Sequence, residues 1–210
     1  MLLTSDISIG VISALIALFG IIVSFFIAIF GDDLKAFWRK PKLSLRLPDI
    51  GGEWTVLRNS NQKVGGNPAI YFHALLENKT PPRVAKSVEL FVFECTVTPE
   101  GRTPCIMPLP CPLPVKARRD HSAIDIGSTP HAYDLLRCVN DAKLELLLNC
   151  NTPNNFKPRL EGPGTLDIAI QATGLNTSSN KMWIKIKWDG VFPKESNGIE
   201  PHIKITIKSN

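Results

Sequence analysis

Residues 70–98 read IYFHALLENKTPPRVAKSVELFVFECTVT, and this stretch decides the fold class. Ile70–Glu77 and Val84–Thr98 are rich in β-branched and aromatic residues, which suit a pleated, half-buried surface. Asn78-Lys79-Thr80-Pro81-Pro82 lies between them and reads as a turn. Neither run carries a helical period, so two strands joined by a turn are expected here.

The β pattern continues in both directions. Upstream, Lys42–Leu47 alternates as a half-buried strand does, and Pro48–Pro68 reads mostly as loop, with strand character only in EWTVLR (53–58). Downstream, TPCIMPLPCPLP (103–114) carries five prolines, which remove ladder donors and confine it to an edge or a crossing connection. Ser122–Ile126, Ala132–Val139 and Leu144–Leu148 follow as short strands, then a loop rich in Asn, Pro and Gly over Asn149–Gly164. Thr165–Ala172, Met182–Trp188 and Ile203–Lys208 close the chain. Ile184, Ile186 and Trp188 face one way and Lys185 and Lys187 the other; Ile203, Ile205 and Ile207 repeat the scheme against Lys204 and Lys208. Short strands at this spacing, without a long helix among them, predict an antiparallel β-sandwich, with a β-barrel as the alternative.

The N-terminus is different in kind. Ile7–Phe30 reads ISIGVISALIALFGIIVSFFIAIF, twenty-four residues without a charge or a proline. About 20 apolar residues cross a hydrocarbon core of ~30 Å. A signal peptide would want a basic start, an apolar run of about 7–15 residues and a small-x-small cleavage site. Here no Lys or Arg precedes the run, and Gly31-Asp32-Asp33 follows it. A transmembrane helix over 7–30 is therefore expected. Residues 1–6 form a short N-terminus outside the cytoplasm, 31–41 a basic juxtamembrane segment and 42–210 the β-sandwich domain. Lys35, Arg39, Lys40, Lys42 and Arg46 all follow the span, and Lys/Arg excess marks the cytoplasmic side. The expected location is thus a cell inner membrane, single-pass, with the carboxyl-terminal domain cytoplasmic. Phe37 and Trp38 stand where an aromatic belt would. Together with Lys35, Arg39, Lys40 and Lys42 they are the expected membrane-surface contact, with lipid as the partner.

Within the span, winding at 100° per residue gathers Gly10, Ser13, Ala14, Ala17, Gly20, Ser24 and Ala28 on one face, interrupted only by Ile21. Small residues let helix backbones approach closely in lipid. The face predicts self-association or docking on another membrane helix.

A resemblance follows from these residues. LLENKTPPRVAKSVELFV (75–92), with Asn78, Ala85 and Val88, resembles the V-x-N-x-G-x-x-A-x-x-V strand pair of immunoglobulin-like domains in bacterial surface and membrane proteins. Pro-Pro stands where that pattern has glycine, so the turn differs. With the basic anchor, SAIDI (122–126), YDLLR (133–137) and IKWDG (186–190), residues 34–190 resemble bacterial single-pass membrane proteins of uncharacterised role. The resemblance implies an immunoglobulin-like sandwich and brings no catalytic residues with it.

Chemistry is sparse. His73, His121, His131 and His202 show no metal-ligand spacing with one another or with cysteine. Cys105 and Cys111 form the nearest cysteine pair; a transient disulfide is weighed there against two inert thiols, the blander reading. Five cysteines, an odd number, lean toward a reducing compartment. Asp125, Asp134 and Asp141 sit in no calcium-loop pattern and read as solvated carboxylates. Gly51-Gly52 and Gly65-Gly66 lack the Lys-Ser/Thr of a phosphate loop. The net charge of +5 sits largely beside the span. Lys116, Arg118 and Arg119, and separately Lys181, Lys185, Lys187, Lys204 and Lys208, form smaller basic groups with few aromatics between them. Solvation and edge protection outweigh nucleic acid as their explanation. Sequons begin at Asn78 and Asn176, and matter only in a glycosylating compartment.

The expected function is a membrane-anchored, cytoplasmic-facing binding module acting on a protein partner or a second copy, without cofactor or metal. The alternative is a membrane effector activated by oligomerisation through the helix. An enzyme ranks third, and the expectation is that the chain is not one.

Overall fold

A computed structural model describes residues 3–38, 40–48, 51–57, 66–108, 110–116, 123–141, 143–152, 156–193 and 198–208, without the side chains of 3–12 and 32–38. The chain divides into two compact units, Met1–Lys40 and Pro41–Asn210.

The first unit is one helix, α1 (Leu3–Trp38), of 36 residues. At about 1.5 Å per residue it is roughly 54 Å long, well over the thickness of a hydrocarbon core. The sequence holds no proline before Pro41, so nothing interrupts the ladder through the segment expected to be juxtamembrane. Within it, Ser13–Gly31 has a mean hydropathy of 2.7, and none of that stretch is buried against protein.

The second unit is all β. The chain runs through β1 (Leu43–Arg46), β2 (Glu53–Leu57) and the long β3 (Asn67–Asn78), then crosses to β4 (Ala85–Pro99). Three short strands follow: β5 (Cys105–Ile106), β6 (Cys111–Pro112) and β7 (Ile124–Ile126). It returns in β8 (His131–Val139), β9 (Lys143–Leu146) and β10 (Arg159–Leu160), and ends in β11 (Gly164–Thr173), β12 (Met182–Trp188) and β13 (Ile203–Lys208). One antiparallel sheet has the order β1-β3-β8-β9-β10, with β2 sharing β3's edge beside β1. The other has the order β13-β12-β11-β4-β5, with β6 and β7 also laid along β4. The proline run thus supplies edge pieces, as proline demands.

Both sheets keep open edges and face a single core, a sandwich-like arrangement and not a barrel. Ile70, Phe72, Leu136 and Leu144 enter that core from one sheet, and Leu90, Ile168, Ile184 and Ile186 from the other. Trp188 is buried with them. The expected alternation of β12 holds. That of β13 holds only at its start: Ile203 is buried but Ile207 is half exposed. β13 is the outermost strand of its sheet, and its exposure rises toward its end. The stretch 149–164, expected as loop, contains β10, which is too short to show a period.

Bulges explain the spacing of the strand-pair motif. Ala85 and Val88 are both buried although three residues apart, because the register with β7 shifts between them and Ser87 adopts φ 48°. Left-handed backbone at a non-glycine residue is uncommon; here the Ser87 amide donates to Asp125 Oδ1 at 2.8 Å. A second shift against β11 lets Val92 and Cys95 both face inward. Asn78 is buried and anchors the turn. Its Nδ2 donates to the Arg83 carbonyl and, at 3.3 Å, to that of Ile126; its Oδ1 accepts from the Thr80 amide at 3.0 Å. The peptide bond Pro81-Pro82 is cis.

Candidate functional site

On α1, Ser13, Ala14, Ala17, Gly20, Ser24 and Ala28 are exposed, and a Cβ built at Gly20 would meet nothing within 4 Å. Gly10 lies in the helix with its surroundings undescribed. Of the expected membrane-surface residues, the side chains of Lys35, Phe37 and Trp38 and the whole of Arg39 lie outside the described residues. Lys40 and Lys42 are exposed.

The most concentrated polar chemistry sits on the outer face of the first sheet. Along β3, Ile70, Phe72 and Ala74 turn inward, which turns Tyr71 and His73 outward. β8 carries a bulge that places Leu135 and Leu136 both in the core, so that Asp134 emerges opposite His73. β2 docks on the same stretch of β3 and brings in Glu53, and Lys116 reaches it from the segment after β6. His73 Nε2 lies 3.1 Å from Glu53 Oε2, and its Nδ1 lies 2.9 Å from Asp134 Oδ1. Tyr71 stacks beside the imidazole at 6.4 Å between ring centroids, and Arg137 donates to Glu145 at 2.5 Å. The hydrogen bond from Lys116, with a smaller contribution from His73, holds the Glu53 carboxyl below the usual carboxylate range. A shallow hollow of about 270 Å³ opens over Glu53, Tyr71, His73, Lys116 and Asp134.

His73 Nε2 is hydrogen-bonded with Glu53, whereas Nδ1 and Asp134 Oδ1, although 2.9 Å apart, are both buried without a hydrogen-bond partner among the described residues. Among the described residues, no group of three or more His, Cys, Asp or Glu is placed to hold a metal ion. The cluster is a group of charged and polar side chains around a shallow hollow. Asp134, expected to be a solvated carboxylate, is instead a member of it.

The basic groups are also resolved. Lys185 and Lys208 share Asp167, at 3.6 and 3.3 Å, and Lys181 pairs Glu94 at 3.1 Å while lying over Phe93 and Trp183. Lys204 and Lys208 lie on the edge strand β13, where charge blocks further pairing. Arg118, Arg119 and His121 lie outside the described residues. Both sequon asparagines hold turns: Asn176 donates to the Val84 carbonyl and accepts from the Lys86 amide, each at 3.0 Å.

The reading of Cys105 and Cys111 as two inert thiols fails at Cys111, which is bonded to Cys150, with Cα atoms 6.0 Å apart, and not to Cys105. The cause is non-local: the Asn149 amide donates to the Pro112 carbonyl at 2.8 Å, which lays the two segments side by side. Burial, with Cys105 and Asp167 nearby, pushes the Cys95 thiol up to about 12. Burial, with Asp141 and Asp189 nearby, does the same for Cys138, also to about 12. Both are inert as nucleophiles.

No family model, curated protein or solved structure matches this chain. The functional reading therefore rests on its own residues.

Proposed function

We propose that the chain is a membrane-anchored interaction module. The N-terminal helix crosses a cell inner membrane once, and an immunoglobulin-like β-domain on the cytoplasmic side engages a protein partner or a second copy. The observation that carries this is the stretch Ser13–Gly31, 19 helical residues without a charge and with a mean hydropathy of 2.7, long enough to cross a hydrocarbon core. The strand order supports the immunoglobulin-like assignment: β1-β3-β8 and β4-β11-β12 divide between the sheets as strands A, B, E and C, F, G do in that fold. The basic residues after the span support the orientation.

The anchor is tested by alkaline carbonate extraction of cell membranes with mass measurement of the chain. Retention in the pellet with the N-terminal segment intact is expected. Release, or loss of the first thirty or so residues, would mark a signal sequence instead. In the same membranes the small-residue face predicts a further result. A Cβ added at Gly20 finds open space and leucine keeps the span apolar, so in Gly20→Leu insertion should survive while helix association falls. Ile16→Leu, on the opposite flank, should associate like the parent. Equal crosslinking yields in all three chains would reduce the face to composition.

A second reading places the β-domain outside the cytoplasm. The Cys111–Cys150 bond favours it, since structural disulfides belong to oxidising compartments.

A further inference from the structure

The end of the β-domain where the chain enters from the helix is a hydrogen-bonded cluster of loops. Pro41 and Lys42 lie at its centre. The Lys79 amide donates to the Lys42 carbonyl at 2.8 Å, the Lys42 amide to Thr80 Oγ1 at 3.0 Å, and Thr177 Oγ1 to the Pro41 carbonyl at 2.5 Å. The Leu175 amide donates to the Lys86 carbonyl at 3.0 Å, and Asn176 ties this turn to Val84. Three segments that are distant in sequence are thereby fixed around the junction.

Their composition is one-sided. Lys42, Lys79, Arg83 and Lys86 are all exposed, while Glu77 is buried against Arg46 and Lys79. Asp125, beside Lys86, is the exposed carboxylate among the described residues of the cluster; Glu89 lies further in along β4. At the tip, Leu175 is 82% exposed and Val84 39%. Exposed apolar tips ringed by bases are the composition of a surface that meets anionic lipid, apolar groups entering the acyl boundary and bases staying with headgroups.

Chain connectivity supplies the second argument. Trp38 is seven helical residues beyond Gly31, and Pro41 three residues beyond Trp38, so the junction stands at most about 20 Å from the hydrocarbon edge. The headgroup layer and one Debye length of about 8–10 Å take up most of that distance.

We infer that this loop cluster, with Leu175 and Val84 as apolar tips and Lys42, Lys79, Arg83 and Lys86 as the basic rim, docks the β-domain onto an anionic lipid surface. The inference rests on the anchoring reading. It fixes which end of the domain faces the bilayer and leaves the opposite end and the sheet faces open to a partner.

The test uses the full chain reconstituted in vesicles with brominated acyl chains, which quench tryptophan on contact. Leu175→Trp supplies the probe. Ile106→Trp is the control, since Ile106 is 71% exposed on β5, opposite Thr96 and about 35 Å along β4 from the cluster. In vesicles containing phosphatidylglycerol, added quenching is expected for Leu175→Trp and none for Ile106→Trp. Introducing Lys79→Glu and Lys86→Glu beside the probe should abolish it, because each basic residue lost lowers the docked-to-undocked ratio about fivefold. Quenching no greater at 175 than at 106 overturns the docking while leaving the anchor standing. Equal quenching in pure phosphatidylcholine overturns the recognition of anionic lipid. A parent chain stripped from the vesicles by carbonate removes the anchor, and the docking falls with it.

Discussion

Trp188→Ala is expected to lower the stability of the β-domain by about 3–5 kcal/mol, against the roughly 5–15 kcal/mol that holds a typical domain together. Trp188 ends β12, pairs with Gly164 and Ile203, and is only 3% exposed. Removing so large a side chain from between two sheets forfeits its transfer energy and leaves a cavity that the flanking strands cannot close. Its indole Nε1 is buried without a hydrogen-bond partner among the described residues. Trp188→Phe should therefore cost much less, since it loses some volume but also removes an unpartnered donor whose burial costs about 1–3 kcal/mol. Lys187→Ala, one residue away on the outer face, should lie within about 0.5 kcal/mol. Lys187 sits opposite Lys204, so its loss also relieves a like-charge contact. Guanidinium unfolding of residues 41–210 decides the matter through midpoints at unchanged slope. Coincident midpoints for Trp188→Ala and Lys187→Ala would refute the assignment of that face to the core.

This contrast was legible in the sequence because β12 keeps an unbroken two-residue period. Where the period breaks, the sequence misleads. β4 shifts phase at Ser87 and again near Phe93, so its inward residues are identified by the register with β7 and β11 and not by counting. In β13 the period is intact, yet Ile207 is exposed, because alternation does not tell that the strand lies at the edge of its sheet. The candidate site was illegible for a stronger reason. Glu53, His73 and Asp134 belong to three strands, and their meeting depends on the docking of β2 and on a bulge in β8. No local pattern signals either event. Asn78 is the opposite case: its place in the strand-pair motif marked it, and the structure shows the turn it holds.

The second large effect concerns Cys111 and Cys150, thirty-nine residues apart. Closing a loop of that length removes unfolded-state entropy equivalent to about 4 kcal/mol in the chain-entropy account. The purified, oxidised β-domain should thus be about 4 kcal/mol more stable than the same domain reduced, with the double change Cys111→Ser and Cys150→Ser matching the reduced form. Cys95 and Cys138 are buried and should not contribute to the difference. The same bond reports on orientation. Lys35, Arg39, Lys40, Lys42 and Arg46 are the ground for the proposed cytoplasmic orientation, and in the cytoplasm thiols are kept reduced. On that assignment, cells quenched in acid and alkylated under denaturing conditions should yield Cys111 and Cys150 fully modified, and the bond should form only after lysis. A pair already resistant to alkylation in quenched cells would place the domain on the oxidising side. The positive flank would then have been overridden, and the extra stabilisation would be available to the protein where it works. Either outcome fixes the side of the membrane on which a partner must be sought.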